Sequence, residues 1–252
     1  MKWVSCTQPI LFPPLHLIER FVRCDEIVLM VEAQLARDSN HAWNVVQTKS
    51  GPLRFGPDLV RKGRRPIADH VLRDPAAFSE KLYAQMKHAF GKRPGFQELE
   101  FDFCQLCEDL ATFGEGLDLA ELNRITMAWC LHAAGGQHVR ISRSVSLLPE
   151  RPKDPCEWMA QLAQAAGATD YLQGARSIET YFRPGSFKPK GVRVWGQRYE
   201  APLLEQLGPS LYPVSVLDPL FMHGTEAVRR KVFAHRGRGT DADTLIEMPG
   251  FA

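Results

Sequence analysis

The sequence lacks long hydrophobic runs, a bias toward one sign of charge and the cysteine density of a disulfide-rich protein. No apolar stretch is long enough to cross a bilayer, and no N-terminal segment has the order of charged, apolar and small residues of a signal peptide. The formal net charge of +2 over 252 residues argues against a dedicated nucleic-acid binder. We therefore expect a cytoplasmic protein whose partners include neither a membrane nor a nucleic acid.

Metal and cofactor motifs are also missing. The six cysteines are scattered along a chain too long to need disulfides, so reduced thiols are expected. Cys104 and Cys107 have the C-x-x-C spacing, but no second pair follows at zinc-ribbon distance, and buried helix cysteines are the better interpretation. Whether this pair has a redox or metal role stays open. No glycine-rich phosphate loop or nucleophile elbow occurs, so we predict no metal site, and the cofactor is unknown from the sequence.

The chain opens with a strand, a turn, a helix and a second strand. Pro9, Pro13 and Pro14 end a strand that begins near Trp3 and then open a helix, because proline cannot donate to a strand ladder and has a fixed φ. The second strand, residues 27–31, is entirely apolar, as expected for a strand covered on both faces. A hydrophobic fraction of 44% and a charged fraction of 24% are those of an ordinary globular protein.

Strands and helices continue to alternate after this opening, and a turn at residues 49–52 joins two extended pieces. The pattern predicts an α/β, Rossmann-like fold with a mostly parallel sheet, helices on both faces and a helical insertion. Val4, Ile27 and Asp170 are expected to lie in this one sheet. We predict a single α/β domain over residues 1–235, with the insertion around 78–134, and a loosely ordered tail at 236–252. Helices are predicted at 78–90, 118–134, from Pro155 up to Gly167, 177–182 and 215–233, and further strands at 138–142, 170–174 and 192–199.

Candidate catalytic residues follow the first two strands. Ligands of such folds bind beyond the carboxyl ends of the strands, which places Gln8 and His16 on one side of a site and Glu32 and Gln34 on the other. A carboxylate at a strand end is suited to base catalysis or to binding a hydroxyl group, and an imidazole in a first helical turn is suited to holding an anion. A half-buried structural role for His16 and a helix-capping role for Glu32 are the alternatives.

Four other residues are candidates for substrate binding. Trp43 and Asn44 combine a stacking surface with an amide that both donates and accepts hydrogen bonds. Gln197 and Tyr199 alternate along a strand, so their side chains share a face. Simple packing is the alternative for Trp43, and backbone partners are the alternative for the strand pair. We expect one cleft to be lined by Gln8, His16, Glu32, Gln34 and Asn44.

Weaker candidates complete the set. The segment Gly174-Ala-Arg-Ser177 offers a cradle for an oxyanion with Arg176 as the charge. Cys6 lies at a strand end near the candidate site, but we assign this thiol to packing. Asp218 falls in the first turn of an apolar helix, where a structural cap is expected.

Several segments resemble, in order, the WbqC-like protein family, and the likeness runs from about residue 3 to about residue 235. They are Thr7-Gln-Pro9 with Pro13, the strand ending Glu32-Ala-Gln34, His41-Ala-Trp-Asn44, and residues 167–174, 194–199, 215–221 and 224–226. The family typically opens His-Gln-Pro and ends its second strand Asp-Asp-Val-Gln, where this chain has Thr7 and Val31 in place of the histidine and the first aspartate. If those two residues are catalytic in the family, this member has altered chemistry or none.

The resemblance implies a function by association, because the family is associated with bacterial surface-polysaccharide and amino-sugar gene clusters. The implied function is a transferase that modifies an activated sugar or amino-sugar or a related metabolite, with a small-molecule substrate and an activated donor as partners. Residues 12–16 and 25–30 are also similar to the start of a nucleotidyltransferase of the HIGH type, although only His16 of its histidine pair is present. A nucleotidyl-transferring or adenylate-forming enzyme and a non-catalytic metabolite-binding protein are therefore the alternatives. The oligomeric state is not indicated.

Overall fold

The computed structural model describes residues 1–36, 40–60, 63–199, 215–234 and 239–242. Its strands are β1 (Trp3–Thr7), β2 (Glu26–Leu29), β3 (Asn44–Thr48), β4 (Gly51–Phe55), β5 (Arg140–Arg143), β6 (Asp170–Gly174), β7 (Arg193–Gln197) and β8 (Thr240–Asp241). The helices are α1 (Leu15–Phe21), α2 (Pro75–Phe90), α3 (Pro94–Thr112), α4 (Leu119–Ala133), α5 (Ser144–Leu147), α6 (Pro155–Ala165), α7 (Ala175–Thr180), α8 (Leu217–His223) and α9 (Thr225–Phe233).

The main sheet has six strands in the order β5-β2-β1-β6-β7-β8, and every pairing up to β7 is parallel. Ser5 lies opposite Ile27 and Trp3 lies opposite Asp170, so the predicted parallel sheet is confirmed. From β1 the chain runs to β2 on one side, whereas from β5 it crosses to β6 on the other. The neighbours β1 and β6 therefore form the topological switch point of the sheet, which is where ligands of open α/β sheets bind.

Helices cover both faces of this sheet. Helix α1 connects β1 to β2, and α6 connects β5 to β6 in the opposite direction across the sheet. Because parallel crossovers are right-handed, these opposite directions place the two helices on opposite faces. Helix α1 also contacts α4 and α9, while α6 contacts β1. The Rossmann-like α/β prediction is confirmed.

Aspartate side chains cap the N-termini of three helices, α2, α4 and α6. The side chain of Asp154 accepts hydrogen bonds from the backbone N–H groups of Cys156 (2.8 Å) and Glu157 (2.9 Å), as the sequence predicts for an N-cap followed by proline. Asp74 caps α2 in the same way, so that helix begins three residues before the predicted Phe78. Asp118 caps α4. Local side-chain chemistry thus fixes where these helices start.

The segment predicted as one helix over 215–233 is two helices, α8 and α9. Gly224 separates them with a φ of 84°, a left-handed conformation that favours glycine. The carboxylate of Glu98 accepts hydrogen bonds from the backbone N–H and the hydroxyl of Thr225, so it caps the second helix. A Cβ on Gly224 would lie 2.3 Å from Oε2 of this carboxylate. The apolar periodicity continues across Gly224, so the sequence pattern does not reveal the break between the two helices.

Helix α3, which the sequence did not predict as a separate element, ties the helical insertion to the rest of the domain. The Phe103 ring lies 5.5 Å from that of Trp129 in α4 and 5.1 Å from that of Phe221 in α8. It also lies 6.3 Å from the ring of Phe12, in the loop between β1 and α1. Gly95 permits the close approach of α3 to α8, since a Cβ there would lie 2.1 Å from the Leu220 carbonyl oxygen.

Part of the predicted tail belongs to the sheet. Asp241 of β8 lies opposite Trp195 of β7 in an antiparallel pairing, which adds a short strand at the sheet edge. The sequence predicts a loosely ordered tail here, because a glycine- and arginine-rich segment with a two-residue strand carries no periodicity. Residues 236–238 and 243–252 of that tail lie outside the described residues.

Candidate active site at the switch point

A cavity of about 960 Å³ opens at the carboxyl ends of β1, β6 and β7, and we call it the switch-point cavity. Its volume is within the range of small-molecule sites. Its walls come from segments far apart in the chain, including the loop after β1, helices α1 and α7, and the end of β7. The polar side chains in its lining include Gln8, His16, Arg20, His41, Gln173 and Gln197.

The loop between β1 and α1 is held in an unusual conformation beside this cavity. Phe12 has a φ of 43°, and it is the one non-glycine residue with positive φ in the part of the chain that the structure describes. The side-chain amide of Asn44 donates to the carbonyl oxygens of Leu11 and Phe12, both at 2.8 Å. The Ser215 hydroxyl donates to the Phe12 carbonyl oxygen at 2.9 Å. Asn44, proposed as a substrate-binding residue, is therefore buried and positions the loop.

His16 lines the cavity as the sequence predicts, but without a charge at neutral pH. Burial and, as the smaller cause, the nearby Arg20 charge together lower the pKa of its imidazole to about 4. The ring lies 5.6 Å from that of Tyr199, and the backbone carbonyl of His16 accepts a hydrogen bond from Nε2 of Gln197 at 3.1 Å. The neutral ring offers a ligand a hydrogen bond in place of an ion pair.

His41 is a second imidazole in the cavity wall, and its tautomer is defined by a backbone contact. Its Nδ1 lies 2.6 Å from the Pro9 carbonyl oxygen, which can only accept, so Nδ1 carries the proton. Burial lowers the pKa of this ring, so it is neutral at neutral pH. The remaining nitrogen, Nε2, is therefore unprotonated and available to a ligand as an acceptor.

Arg20 is a buried cation in the same wall. Its residue is 7% exposed, and it forms no ion pair with any of the described residues. Its Nε has no hydrogen-bond partner within the described part of the chain. Burial lowers the pKa of the guanidinium from its ordinary value, and an arginine side chain stays charged at neutral pH.

The opposite side of the cavity is formed by the ends of β6 and β7. Gln173 and Gln197 are buried polar residues at these strand ends, and Arg176 and Ser177 follow at the start of α7. The ring centre of Tyr199 lies 5.6 Å from that of His16 and 5.7 Å from Nζ of Lys231. Burial raises the pKa of the Tyr199 phenol well above its ordinary value. Gln197 and Tyr199 therefore both line the cavity, as the sequence predicts.

Cys6 lies in the cavity wall but is not a reactive thiol. Burial raises its pKa to about 12, and Sγ lies 3.9 Å from the Met159 carbonyl oxygen. Cys107 has a pKa raised to about 12 for the same reason, within helix α3. Both positions favour packing over chemistry.

The structure places Glu32 outside the residues that line the cavity. Its carboxylate accepts a short hydrogen bond from the hydroxyl of Ser144, and its backbone carbonyl accepts one from Nη1 of Arg151 at 2.9 Å. Ser144 also accepts a hydrogen bond from the backbone N–H of Val31 at 3.1 Å. These contacts join the end of β2 to the start of α5, which is a structural tie.

Gln34 and Trp43 lie at a second pocket, of about 1080 Å³, beside the β3–β4 hairpin. The guanidinium of Arg54 stacks 4.0 Å from the Trp43 ring centre there. The expectation of one cleft is therefore not met: Gln8 and His16 line the switch-point cavity, Gln34 lines the hairpin pocket, and the other two side chains make structural contacts. Strand order and loop packing decide which of these side chains share a cavity, and no sequence pattern shows either of them.

Arg20 and His41 are the site residues that sequence reasoning missed. In the sequence, Arg20 is on the polar face of its helix, which predicts exposure to solvent. In the structure, β6 and α7 lie beside this face. His41 occurs in a polar segment whose docking on the loop after β1 depends on long-range contacts, such as the hydrogen bond from Nδ2 of Asn123 to the His41 carbonyl oxygen at 2.9 Å. The signal that could have found His41 was its place in the segment His41-Ala-Trp-Asn44.

The parallel sheet and its switch-point cavity define a Rossmann-like α/β protein with a site sized for a small molecule. The model of the WbqC-like protein family matches residues 8–230, and the chain belongs to that family. Among the curated proteins, none matches this sequence.

Two further properties concern the described residues alone. None of their helices combines the length and apolarity that crossing a membrane requires. They also contain no group of three or more histidine, cysteine, aspartate or glutamate side chains placed to hold a metal ion.

Proposed function

We propose that the protein is a transferase that modifies an activated sugar or amino-sugar or a related small metabolite, with the switch-point cavity as its active site. One observation carries the proposal: polar side chains from β1, α1, β6 and β7 converge on a ligand-sized cavity at the switch point of a parallel sheet. Membership in the WbqC-like family supports it through the association of that family with surface-polysaccharide and amino-sugar gene clusters.

In this proposal His41 is the general base. The acceptor's oxygen or nitrogen forms a bond to the transferred group, and its proton passes to Nε2 of His41. The bond between the transferred group and the donor breaks, and its electron pair leaves with the donor's leaving group. The Pro9 carbonyl supports this role because it holds the ring with Nδ1 protonated and Nε2 as the acceptor. Gln8 and Gln173 supply hydrogen bonds for substrate hydroxyl groups.

The substrate class is tested first by binding. Nucleotide sugars, sugar phosphates, nucleotides, acyl-CoAs and amino acids are screened for an increase in Tm, because a ligand specific for the folded state stabilises it. Pairs of hits are then assayed for transfer by mass spectrometry of the products. A donor and an acceptor that bind together and yield a transferred product support the proposal. Binding of a metabolite without turnover by any pair would favour a non-catalytic member of the family.

The catalytic role is tested with His41→Gln. This variant keeps a polar side chain but has no basic nitrogen, so kcat/KM should fall by about 10²-fold or more. The exposed His88 on α2 offers a matched control, and His88→Gln should retain wild-type turnover. Wild-type turnover in a folded His41→Gln variant would exclude His41 as the base.

Nucleotidyl transfer is the second candidate, and the strand order favours it. Counted along the chain, the parallel strands β1, β2, β5, β6 and β7 lie in the spatial order 3-2-1-4-5, which is that of nucleotide-binding sheets. His16 lies at this switch point. Release of pyrophosphate from a nucleoside triphosphate in the presence of an acceptor would support this candidate over group transfer from a sugar donor.

A further inference from the structure

Arg20 carries a buried positive charge in the cavity wall without a matching acid among the described residues. Within the described part of the chain, the ring that its guanidinium contacts is that of Phe21, whose centre lies 5.4 Å from the guanidinium carbon. Burial of an ionised group without a partner costs free energy. Binding of a ligand with the opposite charge would offset that cost. The position of Arg20 in the wall of an open cavity indicates that its partner is a ligand.

The space next to the guanidinium is bounded by a glycine and a hydroxyl group. A Cβ on Gly174 would lie 3.4 Å from Nη1 of Arg20 and 3.8 Å from Oγ of Ser177. A ligand group beside Gly174 therefore meets the guanidinium and the Ser177 hydroxyl together. Gly174 has a φ of −66° and a ψ of 131°, which any residue adopts, so its lack of a side chain serves the space and not the backbone.

The charged groups around this space favour an anion with more than one negative charge. Arg176 and Arg198 line the same cavity as Arg20, whereas Glu179 is the one carboxylate among the described residues that line it. A planar guanidinium with a hydroxyl donor beside it suits the oxygens of a phosphate group.

We propose that Arg20 and Ser177 bind a phosphate group of the substrate or donor beside Gly174. The inference rests on the proposed function only in taking the switch-point cavity as the substrate site. Its test measures anion binding and needs no turnover. A failed transfer assay and a failed phosphate test are therefore separate results.

The experiment measures Tm of the full chain against increasing inorganic phosphate, pyrophosphate or acetate, with ionic strength held constant by sodium chloride. The variants are Arg20→Met and Gly174→Ala, and the control is Arg230→Met. Arg230 is exposed on α9 in an ion pair with Glu226 and does not line the cavity, so the control removes one positive charge outside the proposed site. Methionine approximates the length of arginine without its charge.

Phosphate and pyrophosphate should raise Tm of the wild type and of Arg230→Met, and acetate should not. Arg20→Met should lose this protection, while its Tm without phosphate should equal or exceed that of the wild type, because an unpaired buried charge is gone. Gly174→Ala should bind phosphate about 10- to 100-fold more weakly, since its methyl group occupies the space between the two donors.

Equal protection of Arg20→Met and the wild type would overturn the proposal, as would a wild type that neither phosphate nor pyrophosphate protects. Protection by acetate alone would replace phosphate with a carboxylate and contradict the assigned class. Should Arg20→Met fail to fold, an undiminished phosphate affinity of Gly174→Ala would overturn the proposal.

Discussion

The side-chain amide of Asn44 holds the backbone of Phe12 in its left-handed conformation, through a hydrogen bond of 2.8 Å to the Phe12 carbonyl oxygen. A second bond from the same amide, to the Leu11 carbonyl oxygen, leaves the loop little freedom. This pair links the hairpin strand β3 to the loop that carries Gln8 and leads into His16. A residue on a separate hairpin thus shapes the wall of the switch-point cavity.

Asn44→Ala should lower the free energy of unfolding by about 1 to 3 kcal/mol, because the Leu11 carbonyl oxygen loses this donor and the Phe12 carbonyl oxygen loses one donor while it keeps the Ser215 hydroxyl. Urea unfolding followed by tryptophan fluorescence measures this change. Gln47→Ala is the matched control on the same strand, since the Gln47 side chain is half-buried and makes one long hydrogen bond, of 3.5 Å, to the Thr48 carbonyl oxygen. Equal stability of the two variants would contradict the role of Asn44.

Glu32→Gln should retain wild-type turnover, because Glu32 lies outside the cavity and its Oε2 accepts from Ser144. Glu32→Ala should lower the free energy of unfolding by about 1 to 3 kcal/mol, since the buried Ser144 hydroxyl loses its acceptor. Kinetics of the glutamine variant and urea unfolding of both variants separate the two effects. A loss of about 10²-fold in kcat/KM in Glu32→Gln, with unchanged stability, would restore the role as a base that the sequence suggested.

Asp218 should make stability fall as the pH rises from about 4 to about 6. Burial raises the pKa of this carboxyl from 3.8 to about 6, whereas the backbone N–H of Gln47, 2.5 Å from Oδ2, acts in the opposite direction. Between these values the folded state holds a proton that the unfolded state has released, so stability decreases with pH by up to about 3 kcal/mol and stays low above pH 6.

Asp218→Asn removes this ionisation and should therefore be more stable than the wild type at pH 8, with a flatter profile between pH 4 and pH 6. Thermal unfolding across that range measures both features. Asp102→Asn, at an exposed position on α3, is the control and should follow the wild-type profile. A wild-type stability that rises through this pH window would exclude a raised pKa for Asp218.

His16 should report on Arg20 by NMR titration. Its pKa of about 4 is set first by burial and second by the Arg20 charge, so Arg20→Met should raise the pKa of His16 without restoring the ordinary value of 6.5. Bound phosphate should also raise the pKa of His16 in the wild type, because its negative charge offsets that of Arg20. Arg230→Met should leave the titration unchanged. An unaltered His16 titration in Arg20→Met would show that the two side chains do not interact.

The central sheet could be predicted because each of its elements carries a local signal. The apolar run around Ile27, the prolines after β1 and the cap at Asp154 each identify a strand or a helix start without any long-range contact. The break at Gly224 and the strand at Thr240 could not be predicted in this way, because the first depends on Glu98 in a distant helix and the second on the edge of β7.

The site was predictable only at strand ends and helix starts. Gln8, His16, Gln197 and Tyr199 line the cavity because the carboxyl ends of parallel strands meet at one edge of the sheet. Glu32 also follows a strand, but β2 is not at the switch point, and its carboxylate packs against α5. No local sequence pattern predicts the burial of Arg20, because that burial depends on β6, a strand much later in the chain.

The pairing of β1 with β6 joins segments that lie far apart in the chain. The backbone N–H of Cys6 lies 3.3 Å from the hydroxyl of Tyr171, a residue 165 positions later in the chain. Contacts of such high sequence separation slow folding, because the loop between them must close before they form. During synthesis β1, α1 and β2 emerge without the partner strand that covers one edge of β1. Aggregation should therefore compete with refolding until β6 pairs with β1. A chaperone that the protein needs for folding should act before this pairing forms.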